Sequence, residues 1–221
     1  MVENALDVPH TAILHRGLFR GVQRHRVEVV LRRYRNWAEA QYLGEPPPQG
    51  FVARLISLGA KGKELTVEHW DRFFLPSVLQ VEYRLGDRIH FLITGYCTPT
   101  HEKKTQLFAV ACVRTPLPPW LTRILVRLIE PFAMRVFRQD VVILSARTEN
   151  IAHFEGEQFM STEIDVLGAS VTRLLKDASE RETHDGANER GTSESAKPET
   201  EEPLAPENEE PRELVELSLD A

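Results

Sequence analysis

Over the first half of the chain, short runs of apolar residues alternate with charged ones. After residue 118 the repeat lengthens to three and four residues. Residues 24–35, containing Arg26-Val-Glu-Val-Val-Leu-Arg-Arg33, alternate in part and predict a half-buried antiparallel strand. Residues 51–58, 65–74, 78–85, 88–97 and 105–114 predict further strands. They are separated by turn signals at Gly59-Ala-Lys-Gly62, Leu75-Pro76, Leu85-Gly-Asp87 and Thr98-Pro-Thr-His101. The Gly44-Glu-Pro-Pro-Pro-Gln-Gly50 run is a loop, because three successive prolines exclude helix and central strand. Five or six strands with short connections make an antiparallel meander, and such a sheet must cover one face with something apolar. The expected cover is the amphipathic stretch from Trp120 to Leu144, opened by Pro118-Pro119. Leu121, Ile124, Leu125, Leu128 and Ile129 form its apolar stripe, and Pro131 predicts a kink or a break. A last helix is expected from Ser161 through Lys176. Thr162 and Asp165 are spaced as a capping box, and Val166, Leu167, Val171, Leu174 and Leu175 form its buried side. Strands followed by helices give an α+β fold class.

Charge divides the chain in two. The net charge is −6, yet from Asp177 onward there are fifteen Asp and Glu against four Lys and Arg, so the preceding body is mildly basic. Residues 1–178 are read as one folded domain and 179–221 as a disordered acidic tail, whose composition buries too little apolar surface to offset chain entropy. Leu214-Val-Glu-Leu-Ser-Leu219 is read as an unstructured end rather than a short docking motif. Cys97 and Cys112 are too few for a disulfide framework and sit in apolar runs, so both are expected as buried free thiols. No apolar run reaches the roughly 18 residues of a membrane span, and no signal peptide opens the chain, which gives a cytoplasmic expectation. Arg32, Arg33 and Arg35 lack interleaved aromatics, so they read as a solvated strand face and not as a nucleic-acid surface. His69 and His90 read as ordinary, partly buried strand residues. Glu163 and Asp165 read as helix-capping groups.

Candidate chemistry gathers in the first fifteen residues, where Asn4, Asp7, His10 and His15 share a short, mostly apolar segment. Two neutral imidazoles with a nearby carboxylate form a metal half-site. Two His and one carboxylate with open positions is the ligand set of non-haem Fe(II) oxygenases. Asp7, one turn before His10 if the segment is helical, suits the partner that fixes an imidazole tautomer. The same residues also read as a helix cap and two interfacial histidines. On a straight helix, positions five apart differ by about 140°, so both imidazoles reach one metal only if the helix bends or ends, as Pro9 and Gly17 permit. Asp140 reads as a helix-surface carboxylate or, beside the apolar run Val141-Val-Ile-Leu144 where an unpaired charge is costly, as one held by a cation or an ion pair.

The pattern Asn4-x2-Asp7-x2-His10-x4-His15, with Asp140 in Gln139-Asp-Val-Val-Ile-Leu144 downstream, resembles the catalytic domain of Rieske-type aromatic-ring-hydroxylating oxygenases. The branch is that of vanillate O-demethylase and pheophorbide a oxygenase, and the likeness covers about residues 2 to 176. It implies a helix-grip fold, a curved antiparallel sheet held by a long C-terminal helix. It implies mononuclear Fe(II) on His10, His15 and Asp140, with O2 and an apolar or aromatic substrate beside the metal. Electrons would come from a Rieske [2Fe–2S] centre, through Asp7 across a subunit boundary, with Asn4 bracing the constellation in a homotrimer. Such a cluster needs two Cys and two His, and this sequence has no pair of Cys-x-His and Cys-x2-His motifs. The cluster is expected on a separate domain or partner, and the chain as a truncated product, half of a split gene or a relic. The alternative function is a metal-free grip that encloses an apolar ligand.

Overall fold

The computed structural model describes residues 1–7, 26–45, 66–87, 89–101, 103–153, 165–188 and 213–220. Its elements are α1 (Val2–Leu6), β1 (Arg26–Arg33), β2 (Trp37–Leu43), β3 (Val67–Phe74), β4 (Val78–Leu85), β5 (Ile89–His101), β6 (Lys104–Arg114), α2 (Pro119–His153), α3 (Gly168–Asn188) and β7 (Glu213–Asp220). The strands form one antiparallel sheet in the order β6-β5-β4-β3-β2-β1-β7. The expected meander is there, and its curved sheet with C-terminal helices is the α+β helix-grip architecture. The strand expected at 51–58 lies outside the described residues.

β2 does not stand out in the sequence because its inward positions are Ala38, Ala40 and Tyr42, and alanine is a poor strand former. Its place is fixed by its neighbours. It pairs with β1 from Glu28↔Leu43 to Arg33↔Ala38, and with β3 from Trp37↔Phe74 to Tyr42↔His69. Both alanines are fully buried, and with no side chain beyond Cβ they let α3 approach β2 closely.

The cover over this face differs from the one expected. Leu6 of α1, with Val166, Leu167, Val171 and Leu174 at and in α3, joins Val27, Val29, Leu31, Tyr42, Phe73 and Leu79 in a single core. The α2 stripe takes no part: Leu121, Leu125 and Ile129 are half-buried outside this core, and Ile124 and Leu128, with the neighbouring Trp120, are exposed. These last three line an open apolar groove of about 360 Å³ with Arg123 and Arg127. α1 and α3 already fill the sheet face that α2 was expected to cover. α2 also runs on without a break through Pro131.

α3 starts where its capping residue dictates. The Asp165 carboxylate accepts a hydrogen bond from Gly168 N–H at 3.0 Å, as a capping side chain does; Thr162, its expected partner in a capping box, lies outside the described residues. The helix continues to Asn188, well past Lys176, and β7 occupies Glu213–Asp220. At 179–188 and 213–220 regular structure therefore replaces the expected disorder. Charge-rich composition there is compatible with an exposed helix, and Val215, Leu217 and Leu219 alternate as a strand requires. Both cysteines are free, but only Cys97 is buried; Cys112 is exposed on β6, at the edge of the sheet.

The opposite sheet face carries an ionic ladder across β1 to β5. Arg32 donates to Glu39 at 2.8 Å and to Gln41 at 3.0 Å. Arg72 donates to Glu39 and to Glu82, both at 2.6 Å, and Glu82 also accepts from Arg84 and bonds His90. Burial alone would raise the Glu82 carboxyl, but hydrogen bonds and charge from Arg72, then Arg84, hold it below the usual carboxylate range. Arg72→Met keeps the aliphatic stem but removes the cation shared by Glu39 and Glu82, leaving Glu39 to Arg32 and Glu82 to Arg84 and His90. The expected loss is about 2–3 kcal/mol in urea unfolding, less than a fully buried pair because the ladder is partly hydrated.

Candidate metal centre

The Asn4-to-His15 motif begins on the core face of the sheet. Leu6 is 3% exposed within the core, with Met1, Val2 and Ala5 packed around it, and α1 lies against β4 and α3. These contacts hold Asn4 and Asp7, both half-buried, where the chain leaves the core. α1 ends at Leu6, and Asp7 is extended (φ −85°, ψ 92°). A helix commonly stops ahead of a proline, and Pro9 follows. Asp7 is therefore not one turn along a continuous helix from His10. His10 and His15 lie outside the described residues.

The third expected ligand has an unusual setting. Asp140 sits in the second half of α2 and is 8% exposed, whereas the adjacent Val141 and Val142 are 57% and 68% exposed. Among the described side chains of α2 it is the one that is buried. Its Oδ1 is shut off from solvent. A helix does not bury a carboxylate in preference to valine unless something at that place compensates the charge. Among the described residues no three His, Cys, Asp or Glu side chains form a metal-holding group. By donor chemistry, two imidazoles and a buried carboxylate fit Fe(II), and Asp140 supplies the buried carboxylate that such a set requires.

Residues 1–181 match the family model of the vanillate O-demethylase oxygenase C-terminal domain. The chain belongs to that family. The oxygenase domain's fold is also that of the crystal structure of dicamba monooxygenase bound to 3,6-dichlorosalicylic acid. That likeness has a TM-score of 0.58 at 18% identity and covers 82% of this chain and 55% of that one. At this identity it shows the fold, and the oxygenase domain spans about half the length of that structure. No curated protein matches the chain. No helix among the described residues is long and apolar enough to cross a membrane.

The oxygenase domain contains a second ionised constellation, which the sequence reading missed. His69, 1% exposed, bonds Glu45 through Nδ1 at 2.8 Å and Asp71 through Nε2 at 3.0 Å. The imidazole is stacked between Tyr42 and Tyr83, with ring centroids 4.6 and 4.0 Å away. Burial alone would lower its pKa. The charge and hydrogen bond of Asp71, then those of Glu45, outweigh burial and raise it to about 9. Gly44, at φ 76°, turns the chain out of β2 and lets Glu45 reach across to β3. The available signal was phase, since Val67, His69, Asp71 and Phe73 all fall on the buried positions of β3.

Proposed function

We propose that this domain holds a single Fe(II) through His10, His15 and Asp140 and oxygenates an apolar or aromatic substrate by hydroxylation or O-demethylation. The observation that carries the reading is the buried Asp140 in an otherwise exposed helix. Held by His10, His15 and Asp140, the iron would supply O2 activation. Asn4 and Asp7 brace the histidines at the end of α1, and Asp7 is the route for electrons from a Rieske [2Fe–2S] centre on another domain or partner. With O2, two electrons from that Rieske centre and two protons, oxygenation would place one oxygen atom on substrate carbon and release the other as water. At a methoxy carbon the resulting hemiacetal collapses to a phenol and formaldehyde. The substrate class is supported by the neighbour, which in its structure binds a chlorinated salicylic acid.

Turnover tests this reading. Fe(II)-loaded domain, given a reduced Rieske protein, O2 and a methoxybenzoate, is expected to release formaldehyde, and the Asp7→Asn variant to lose that activity while keeping its iron. Iron binding without turnover across a panel of aromatic acids would contradict the oxygenase reading. Saturable binding of apolar ligands with no affinity for iron would favour a metal-free grip.

A further inference from the structure

β7 offers an inference independent of the iron chemistry. β1 would be the open edge of the meander, and its inward residues Val27, Val29 and Leu31 are all nearly inaccessible. An uncovered edge of this kind, with unpaired backbone groups beside an apolar face, is a ready template for another strand. β7 pairs with β1 along its full length, from Arg26↔Asp220 to Arg33↔Glu213. In that register Leu219, Leu217 and Val215 stand opposite Val27, Val29 and Leu31. A slip by one residue would set Leu214, Glu216, Ser218 and Asp220 against the apolar positions instead, so the sequence selects one phase. At the two ends of the register the backbone pairs Arg26 with Asp220 and Arg33 with Glu213, so the sequence sets residues of opposite charge at paired positions. Arg33 is fixed at its end of β1, since its Nε donates to Ser170 Oγ of α3 at 2.8 Å.

We infer that the β1 edge is a strand-docking site and that residues 213–220 are its occupant in the same chain, recognised as an extended peptide. The site reads backbone hydrogen bonds along β1, three alternate apolar residues, and an acidic residue at each end. Residues 189–212 separate this strand from α3 in sequence, so it docks as a tethered ligand and not as part of the continuous meander.

The test divides the chain after residue 212. In the undivided chain, amide hydrogens of 213–220 are expected to exchange at least about tenfold more slowly than in the free 213–221 peptide. The 1–212 chain is expected to bind a labelled 213–221 peptide saturably by fluorescence anisotropy. A Leu217→Lys peptide is expected to bind at least about tenfold more weakly. Iron content is expected to stay unchanged on truncation, which separates this inference from the function proposed above. Two results would overturn it: free exchange of 213–220 in the undivided chain, or equal binding of both peptides. A concentration-dependent dimer that dissociates on truncation would overturn the same-chain assignment.

Discussion

Asp140→Ala is expected to give a folded domain that cannot retain iron. Alanine is the best helix former and replaces a residue inside α2, so the helix itself should not suffer. The substitution also removes a buried charge, whose presence costs stability unless it is compensated. In the proposed centre the metal would lose its sole anionic protein ligand. Loss of an outer partner of a metal ligand alone typically weakens binding by roughly 10–100-fold, so the loss of a ligand should exceed about 100-fold. After anaerobic loading and desalting, the unaltered domain should hold about one iron, as a single mononuclear site requires. Asp140→Ala, His10→Ala and His15→Ala should hold close to none. His90→Ala is the control: His90 bonds Glu82 in the ladder on the opposite sheet face, and iron should stay bound. Full iron retention by Asp140→Ala, with circular dichroism unchanged, would exclude Asp140 from the centre.

His69→Leu is expected to cost about 3–5 kcal/mol, the range for a buried ionic cluster that loses one partner. The leucine leaves Glu45 and Asp71, 9% and 2% exposed, without the imidazolium between them. The unaltered protein allows a second test that needs no substitution. The folded-state pKa of His69 is raised from 6.5 to about 9. The stability linked to its protonation is therefore fully present below pH 6.5, declines above it, and is lost as pH rises through about 9. The size of the shift corresponds to a contribution on the order of 3 kcal/mol. Urea midpoints at pH 6 and pH 9.5 should differ accordingly, and His69→Leu, if it folds, should flatten that difference. A midpoint unchanged between the two pH values would mean that His69 is neutral or that its cluster is open in solution.

Legibility followed periodicity. β3, β4, β5 and β6 were readable from apolar residues recurring every second position, and their order followed from short connections, although β5 runs on to His101 through the turn expected at Thr98-Pro-Thr-His101. β2 was not, because the core there requires alanines and their strand character comes only from the partners. The long helix was readable as a helix but not as an exposed one. Its stripe of Ile124 and Leu128 has the period of a buried face, and periodicity alone does not say which element reaches the sheet first. Leu6, in a five-residue helix, and Leu167 and Val171 took that place. β7 was hidden by its acidic surroundings, although Val215, Leu217 and Leu219 carry the period of a strand. Among the candidate ligands, Asp140 was singled out by its match to the family's downstream motif, with the adjacent apolar run in support, and it is buried. His69 and Asp71 share the buried phase of β3, but Glu45 follows β2 in sequence, and only the pairing of β2 with β3 brings it to them.

Fe K-edge X-ray absorption on the Fe(II)-loaded domain addresses the centre most directly. Two imidazole nitrogen ligands are expected, one fewer in any His10→Ala or His15→Ala protein that retains metal, with a light-atom shell completed by the Asp140 carboxylate and solvent. A spectrum with only oxygen neighbours, or one unchanged by both histidine substitutions, would contradict the account.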